Sequence, residues 1–474
     1  MTVLERLGDC LWSPGLLGLF LAAGLYLTVK SGFFQIFGAR RWMGGALSGL
    51  LGGQKGNGRG LTRAQALSTA LASTIGTGSI AGVATAIFFG GPGAVFWMWV
   101  SAFLGMMTGF VEKALAVRWR EKGPDGAWRG GPMCYIARGL GSPFLAAWFA
   151  LACAAASLAG GNLVQSNSIA ASLEAAFGWD RLAVGVVTAA LTGAVILGGV
   201  GRIGKVSQAL VPAMALLFLG GGVLVLFCHR AAIPGALERI VACALSPQAA
   251  LGGGAGYGLA AALRYGVARG VFTNEAGMGT SAIAHAASET EDPVQEGLMG
   301  MFEVFFATLA VCTVTALVIL TSGVYGEQAA LAAIRSGAVE DAMLGAPLSA
   351  AAFSTVLGPL GAPFVAVCLL LFAFTSLLGC SYYGERCLAW LTGSDRWRGL
   401  YRLAFLAMVV WSAAADVQIV WQLTDLFNGL MALPNLCALL ALSPQVLPLV
   451  GAGRRKGLRR GAPGGAPGSG PAGG

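Results

Sequence analysis

The chain has 474 residues, of which 56% are hydrophobic and only 11% are charged, and its formal net charge is +9. Soluble proteins carry about 25% charged residues, so this composition excludes a water-soluble globule and indicates an integral membrane protein. The apolar stretches are continuous and do not alternate residue by residue, which predicts spanning helices and excludes a spanning β-barrel. We therefore expect an all-α polytopic membrane protein.

Eleven membrane-spanning helices are predicted from apolar intervals of about 20 residues that are nearly free of charge. Glycines and a proline at 90–93 separate the second span from the third, and similar residues at 358–363 predict an external loop before the ninth. The predicted spans are 14–33, 64–89, 94–117, 144–175, 182–200, 206–228, 259–286, 297–322, 362–386, 399–414 and 422–447.

The Lys and Arg residues predict the orientation, because cytoplasmic loops carry an excess of positive charge. With the N-terminus outside, 21 of the 30 Lys and Arg residues fall in the inner loops and the C-terminal tail. The chain is therefore predicted to run N-out and C-in. The net charge follows from this asymmetry, so we expect contact with the lipid bilayer and no nucleic-acid partner. The Gly/Pro-rich tail, 451–474, is expected to be disordered.

Two spans contain glycine and polar residues at mid-membrane, where a helix normally keeps its backbone hydrogen bonds internal. The second span contains STIGTGSIAG at 73–82, and the seventh contains GVFTNEAGMG at 270–279. Spans 2–6 and 7–11 form two sets of five, and because five is odd, the second set enters from the opposite face. The sequence thus predicts a 5+5 inverted repeat with one discontinuous helix at the start of each half.

The predicted organisation follows from these halves. It comprises an extra N-terminal helix at 1–35, a basic cytoplasmic loop at 36–63, a first repeat at 64–228, an extracellular connection at 229–258, a second repeat at 259–450 and the tail. Discontinuous helices in corresponding positions indicate a transporter's binding site at the midplane, where freed amides attract a carboxylate and freed carbonyls coordinate a cation. The alternative is that the glycines only allow close helix packing.

Other polar residues within the spans support a site. The fourth span contains GNLVQSNS at 161–168, and the ninth contains the adjacent hydroxyls of Thr375 and Ser376. Such hydroxyls suit Na⁺, although Ser and Thr also bond to their own helix. The intramembrane charges are candidates for structural ion pairs or for a proton relay. They are Glu112, Lys113, Arg264, Arg269, Glu275 and Glu303.

These segments together resemble the alanine/glycine:cation symporters, also called the sodium:alanine symporter family. The resemblance includes 73–102, GGPMCYI at 130–136, 161–170, YGVARGVFTNEAGMG at 265–279 and FTSLLGCSYYGERC at 374–387. It implies a leucine-transporter-type core of ten helices plus one N-terminal helix. It also implies uptake of small neutral amino acids, coupled to Na⁺ or in some members to H⁺, across a prokaryotic inner membrane.

The resemblance also implies a binding site. The substrate carboxylate would meet the amides of Thr77 and Gly78, and a Na⁺ ion would be co-transported as the only cofactor. The remaining pocket residues would be Ser79, Gln165, Phe272, Thr273 and Asn274. The Na⁺ ligands would be the carbonyls of Ala72, Ile75 and Phe372 and the hydroxyls of Thr375 and Ser376.

Two positions depart from the family pattern, which commonly has Asn at the position of Ser79 and Trp at that of Cys380. A small Cys380 would leave a larger pocket, so serine, threonine, glutamine or a branched-chain amino acid is an alternative substrate. H⁺ is an alternative ion because of the carboxylates of Glu275 and Glu303. An intramembrane enzyme or a non-transporting sensor is a remote alternative, since no catalytic motif is visible. No ATP-binding motif is present either, and no obligate protein partner is evident.

Overall fold

The computed structural model describes residues 11–51, 60–123, 126–245, 258–337, 339 and 344–450. This part of the chain is almost entirely helical, as expected for an all-α membrane protein. Six helical stretches within it are long and apolar enough to cross a membrane: Gly93–Arg118, Pro143–Phe177, Gly199–Cys228, Pro293–Thr321, Ala346–Thr392 and Ile419–Gln445. The tail at 451–474 and parts of the two predicted loops, 52–59 and 246–257, lie outside the described residues.

The first half of the chain forms helices α1 to α11. They are α1 Pro14–Lys30, α2 Phe34–Phe37, α3 Ala39–Leu51, α4 Arg63–Thr74, α5 Ala81–Gly90, α6 Gly93–Arg118, α7 Pro132–Cys134, α8 Pro143–Leu158, α9 Val164–Phe177, α10 Arg181–Ile196 and α11 Gly199–Cys228. A 3₁₀ turn, Thr77–Ser79, separates α4 from α5, and π-helical turns follow α7 and α8 at Tyr135–Gly139 and Ala159–Leu163. Two short antiparallel strands, β1 Glu121–Lys122 and β2 Trp128–Arg129, follow α6.

The second half forms helices α12 to α21. They are α12 Ile233–Leu245, α13 Leu259–Asn274, α14 Ala282–Ala286, α15 Pro293–Val304, α16 Thr313–Thr321, α17 Glu327–Ser336, α18 Ala346–Leu357, α19 Gly361–Thr392, α20 Arg398–Ala413 and α21 Val417–Leu442. A π-helical turn, Phe305–Cys312, joins α15 to α16. Short 3₁₀ turns lie at Arg230–Ala232, Gly358–Leu360, Asp395–Trp397 and Ser443–Gln445.

The N-terminal helix α1 packs against helices α6 and α21. Gln35, just after α1, donates to Thr28 Oγ1 at 2.7 Å and to the Phe103 carbonyl of α6 at 3.2 Å. At the other end, Trp12 Nε1 donates to the Asp425 carbonyl of α21 at 2.8 Å. Side-chain hydrogen bonds at both ends of the extra helix thus join it to backbone carbonyls of α6 and α21.

The segment before α19 is not the simple external loop that the sequence predicts, because it contains helix α18. Gly345 and Gly358 bracket this helix with φ of +58° and +56°, a conformation that glycine adopts without steric cost. Between them, Leu348, Ala352 and Phe353 are buried. The helix also reaches the first break, since Ser349 Oγ donates to the Ile80 carbonyl at 3.3 Å.

Helices α6 and α15 approach each other through glycine. A Cβ on Gly300 would lie 2.7 Å from the Gly109 carbonyl oxygen, and one on Gly109 would lie 3.1 Å from the Gly300 carbonyl oxygen. Neither backbone can retreat without moving its helix. Small residues at such contacts let membrane helices pack closely.

We expect Gly300→Ala to lower the stability of the protein by about 1–3 kcal/mol, the usual cost of overpacking. The measurement is the thermal unfolding midpoint in detergent. Gly220→Ala is the matched control, because a Cβ there meets nothing within 4 Å while the gain in helix propensity is the same. Equal midpoints for the two variants would show that the α6–α15 contact tolerates a methyl group.

Candidate functional site

The first break lies between α4 and α5. Helix α4 ends at Thr74, Gly76 is extended (φ −110°, ψ −154°), and Thr77–Ser79 form one 3₁₀ turn before α5 begins. Gly76 allows a close approach, because a Cβ there would lie 2.6 Å from Ser376 Oγ. The sequence STIGTGSIAG therefore produces the discontinuity that was predicted from it.

The second break follows α13, which ends at Asn274. Glu275 has φ of +53°, and Gly277 and Gly279 have φ of +92° and +82°, so the helix cannot continue. The Asn274 side chain closes the turn by accepting from the Ala276 amide at 3.0 Å. The chain resumes as α14, a helix of only five residues.

The two breaks face each other. A Cβ on Gly78 would lie 2.9 Å from Thr273 Oγ1 and 3.0 Å from Phe272 Cδ1, so only glycine fits between the two chains. Thr273 Oγ1 itself donates to the Arg269 carbonyl at 2.8 Å. Residues 195 positions apart in sequence thus form one site, and the glycines are required for its assembly.

A cavity lies at this junction. Four residues named from the resemblance line it, Gly78, Gln165, Phe272 and Cys380, whereas Thr77, Ser79, Thr273 and Asn274 lie beside it and do not. The remaining lining residues are Ser73, Thr74, Gly76, Ala156, Ser157, Gly160, Gly161, Glu275, Met278, Thr280 and Asn428. Several of these lining residues belong to the polar segments noted in the sequence. Their position in the cavity wall, however, results from helix packing, which the sequence alone does not show.

The fourth predicted span reaches the site through Gln165. Its Oε1 accepts from the Thr77 amide at 3.2 Å, and its Nε2 donates to the Gly160 carbonyl at 3.3 Å. That carbonyl belongs to the π-helical turn Ala159–Leu163, where the regular pattern of backbone bonds is interrupted. The Gln165 amide therefore connects the first break to the interruption of the neighbouring helix.

Ser79 and Cys380 occupy tight positions. Within the described residues, the buried Ser79 hydroxyl has no hydrogen-bond partner, while the Ser79 carbonyl accepts from Thr315 Oγ1 at 2.8 Å. Cys380 packs on Gly161, where a Cβ would lie 2.4 Å from that of Cys380. The cysteine therefore lines the cavity from α19 and rests on a glycine of the facing helix.

The five residues named as Na⁺ ligands lie close together beside the first break. Ser376 Oγ lies 2.9 Å from the Ala72 carbonyl and 3.0 Å from that of Phe372. Thr375 Oγ1 lies 3.3 Å from the Ala72 carbonyl and 3.0 Å from that of Phe372. Ile75, the C-cap of α4, is the residue that follows the last residue of this helix, Thr74. This set of carbonyl and hydroxyl oxygens suits a hard cation.

Arg269, one of the intramembrane charges, contacts helix α21. Its guanidinium carbon lies 4.4 Å from the centre of the Trp421 ring, and its Nη1 lies 3.9 Å from Asp425 Oδ1. Trp421 in turn packs on Phe272, with ring centroids 5.4 Å apart. Both partners belong to α21, so the contacts depend on a packing that the sequence does not reveal.

A second group of charges, here called the inner charge cluster, consists of Glu112, Lys113, His285, Glu296 and Glu303. Lys113 Nζ lies 3.3 Å from a Glu112 oxygen and 3.5 Å from a Glu303 oxygen. The His285 ring nitrogens lie 2.5 Å from a Glu296 oxygen and 3.3 Å from a Glu303 oxygen. All five side chains are fully buried.

The inner charge cluster is connected to the second break. Glu112 Oε1 accepts from the Gly277 amide at 2.9 Å and from Asn435 Nδ2 at 2.8 Å. Asn435 Nδ2 also donates to the Gly277 carbonyl at 2.8 Å. These bonds satisfy backbone groups that the break releases, which explains why a carboxylate is buried there. Glu296 and Asn435 were not identified from the sequence, since each depends on contacts between distant helices.

Arg120 lies beyond the end of α6 and fixes the turn after α14. Its guanidinium donates to the carbonyls of Ser288 at 2.5 Å and Thr290 at 2.6 Å. Burial lowers the pKa of Arg120, and the nearby carboxylate of Glu296 opposes this effect. The side chain therefore acts as a structural brace between α6 and the α14–α15 turn.

Comparison with known proteins places this architecture among transporters. The model of the sodium:alanine symporter family matches residues 1–455. The sodium/alanine symporter AgcS of Methanococcus maripaludis is 40% identical over 94% of this chain and 96% of its own. The probable sodium/glutamine symporter GlnT of Bacillus subtilis is 38% identical over 92% and 87%. An uncharacterized transporter of Haemophilus influenzae is 41% identical over 94% of both chains.

Two solved structures share the fold at low sequence identity. MhsT in complex with L-phenylalanine matches with a TM-score of 0.52 at 14% identity, covering 83% of this chain and 99% of its own. The Eremococcus coleocola manganese transporter matches with a TM-score of 0.51 at 14% identity, covering 80% and 76%. The likeness is one of leucine-transporter-type architecture, in agreement with the expected fold class.

Proposed function

The chain belongs to the sodium:alanine symporter family, and from this premise we propose that it couples Na⁺ influx to the uptake of a small neutral amino acid, alanine or glycine. The family and its relatives are transporters, so the protein is a multi-pass membrane transporter and not an enzyme. The observation that supports the proposal best is the meeting of two broken helices at a cavity beside a cluster of carbonyl and hydroxyl oxygens.

In this proposal the amino acid binds at the first break. The N-terminus of α5 carries a partial positive charge and freed amides, so the substrate carboxylate meets the amides of Thr77 and Gly78. Gln165 Oε1, which accepts from the Thr77 amide at 3.2 Å, gives way to the carboxylate. The other proposed substrate-binding residues are Phe272 and Cys380, which line the cavity, and Ser79, Thr273 and Asn274, which lie beside it.

Na⁺ binds on the other side of the same break, at the carbonyls of Ala72, Ile75 and Phe372 and the hydroxyls of Thr375 and Ser376. Because both ligands order one short segment, each raises the affinity of the other. Transport then proceeds by alternating access, as one helix bundle rocks against the other around the site. The proposed orientation is N-out and C-in in a prokaryotic inner membrane, with the two five-helix repeats at 64–228 and 259–450.

The experiment that tests this coupling measures L-alanine affinity of the purified protein with Na⁺ and with choline. We expect Na⁺ to tighten alanine binding by about 5- to 150-fold, the usual range of coupling between sites. Alanine must tighten Na⁺ binding by the same factor, because the linkage is reciprocal. Alanine binding that is indifferent to Na⁺ would contradict the proposal.

A second candidate is a larger neutral amino acid, such as serine, threonine, glutamine or a branched-chain residue. The observation that favours it is the small Cys380 in the cavity wall, and a relative named as a probable sodium/glutamine symporter supports it. H⁺ is the alternative ion, supported by the buried carboxylates and by a relative named as a putative sodium/proton-dependent alanine carrier.

We expect Cys380→Trp to narrow the substrate range, because the indole would occupy part of the cavity that Cys380 lines and that larger side chains need. Unlabelled glutamine and threonine should then no longer compete with labelled alanine, whereas glycine should still compete. Cys380→Ala is the control for loss of the thiol, and it should leave the range unchanged. A Trp variant that keeps the wild-type range would show that position 380 does not limit substrate size.

A further inference from the structure

Glu275 has no role in the pocket described so far, yet it lines the cavity. Of the fifteen lining residues, all in the described part of the chain, it is the only one with a charged side chain. An ionisable residue at this depth in a membrane is costly and indicates function. The cavity therefore presents one carboxylate to whatever occupies it.

The backbone of Glu275 has an uncommon conformation, and a hydrogen bond holds one oxygen of its carboxylate. Its φ of +53°, at the C-terminal end of α13, is left-handed, a conformation that few non-glycine residues adopt and that is enriched at functional sites. Thr280 Oγ1 donates to Glu275 Oε2. Within the described residues Oε1 makes no hydrogen bond, and it is not among the fully buried polar atoms that lack one. One carboxylate oxygen is thus anchored and the other is available to a ligand.

The basic groups near the second break are engaged elsewhere. Arg269 contacts Trp421 and Asp425 on α21. Lys113 Nζ on α6 lies 3.3 Å from Glu112 and 3.5 Å from Glu303. The carboxylate at the cavity wall therefore lacks a close cationic partner among the described residues and suits a cationic group of the ligand.

We infer that Glu275 binds the α-ammonium group of the transported amino acid. This inference rests on the proposed function and deepens it. The substrate is a zwitterion, whose carboxylate is assigned to the amides of Thr77 and Gly78 and whose ammonium then requires an acceptor. Glu275 is the charged acceptor, on the opposite break.

The inference makes the site selective for amino acids over carboxylic acids of the same size. Propionate is L-alanine without its amine, so the two probes differ only in the group that Glu275 is proposed to bind. We expect wild-type protein, measured by calorimetric titration in Na⁺-containing detergent, to prefer alanine over propionate by at least about 10-fold, since charged hydrogen bonds are strong.

The test compares both probes in Glu275→Gln, which keeps the shape and the bond from Thr280. We expect alanine affinity to fall about 10- to 100-fold while propionate affinity stays equal or rises, so that the preference for alanine disappears. Thr280→Val is the matched control. It removes the anchor without removing the charge, and it should retain a clear preference for alanine.

Four results would overturn the inference. Unchanged alanine affinity in Glu275→Gln, or an equal loss for alanine and propionate, would make Glu275 a structural residue. A weaker Na⁺ affinity of the variant without amino acid, measured by the same titration, would make it a cation ligand. If wild-type protein binds no neutral amino acid from alanine to glutamine, the proposed function fails first, and the inference fails with it.

Discussion

Replacing Thr375 with Val and Ser376 with Ala together should abolish Na⁺-stimulated uptake. Both hydroxyls lie within 3.3 Å of the Ala72 carbonyl, and in the proposed site each is a direct ligand. The ligand oxygens compensate Na⁺ for the hydration shell that it loses on binding. Removing two of the five ligands leaves this compensation incomplete. We expect the Na⁺ concentration for half-maximal uptake to rise about 100-fold or more, by analogy with the losses caused by weaker perturbations of metal sites.

The matched control for this double variant is Ser381→Ala. Ser381 lies on the same helix, is also buried, and donates only to the Leu378 carbonyl of its own helix at 3.0 Å. Its removal should leave the Na⁺ dependence at the wild-type value. If the double variant folds, binds alanine and retains normal Na⁺ stimulation, the cation binds elsewhere.

Replacing Lys113 with Met should destabilise the protein more than any other single change considered above. Lys113 is fully buried between Glu112 and Glu303. Its loss leaves the Glu112 carboxylate without its cation and the Glu303 carboxylate with His285 as its remaining basic neighbour. Breaking a buried ion pair in this way typically costs about 3–5 kcal/mol. We expect little folded protein in detergent and a large drop in the thermal unfolding midpoint of what remains.

A double variant separates charge imbalance from lost packing. Lys113→Met with Glu303→Gln removes one charge of each sign and should recover part of the midpoint lost in the single variant. Lys30→Met, at the exposed end of α1, controls for the loss of a lysine as such. A double variant as unstable as Lys113→Met alone would show that side-chain packing, and not charge pairing, stabilises the inner charge cluster.

The breaks in the two helices were predictable because their cause is local. Gly76 must be extended against Ser376, and Gly277 and Gly279 must have positive φ. These requirements leave a glycine-rich signature in any sequence that meets them. Hydropathy likewise predicts the long apolar helices, because spanning a bilayer demands length and low charge. The total of eleven spans and the inverted repeat stay predictions.

The partners of buried polar groups were not predictable, because they come from distant parts of the chain. The contacts of His285 with Glu296 and Glu303, and of Arg269 with Asp425, form only when several helices pack together. The charge of such a residue shows that burying it in the membrane is costly, but it does not show which oppositely charged residue will be its partner.

Helix α18 escaped prediction for a different reason. Its apolar residues are flanked by Gly and Pro residues that are typical of a loop, and hydropathy does not show whether an apolar segment covers a core or crosses a membrane. The structure buries Leu348 and Phe353 and places Ser349 on the first break. Its sequence is compatible with both readings.

The most direct test of Na⁺-coupled amino-acid transport is uptake of labelled L-alanine into proteoliposomes under an imposed inward Na⁺ gradient. We predict concentrative uptake that requires Na⁺, is absent when choline replaces it, and collapses with excess glycine or with a Na⁺ ionophore. An intact, reconstituted protein that accumulates no neutral amino acid under this gradient, or one driven equally by a pH gradient without Na⁺, would contradict the account.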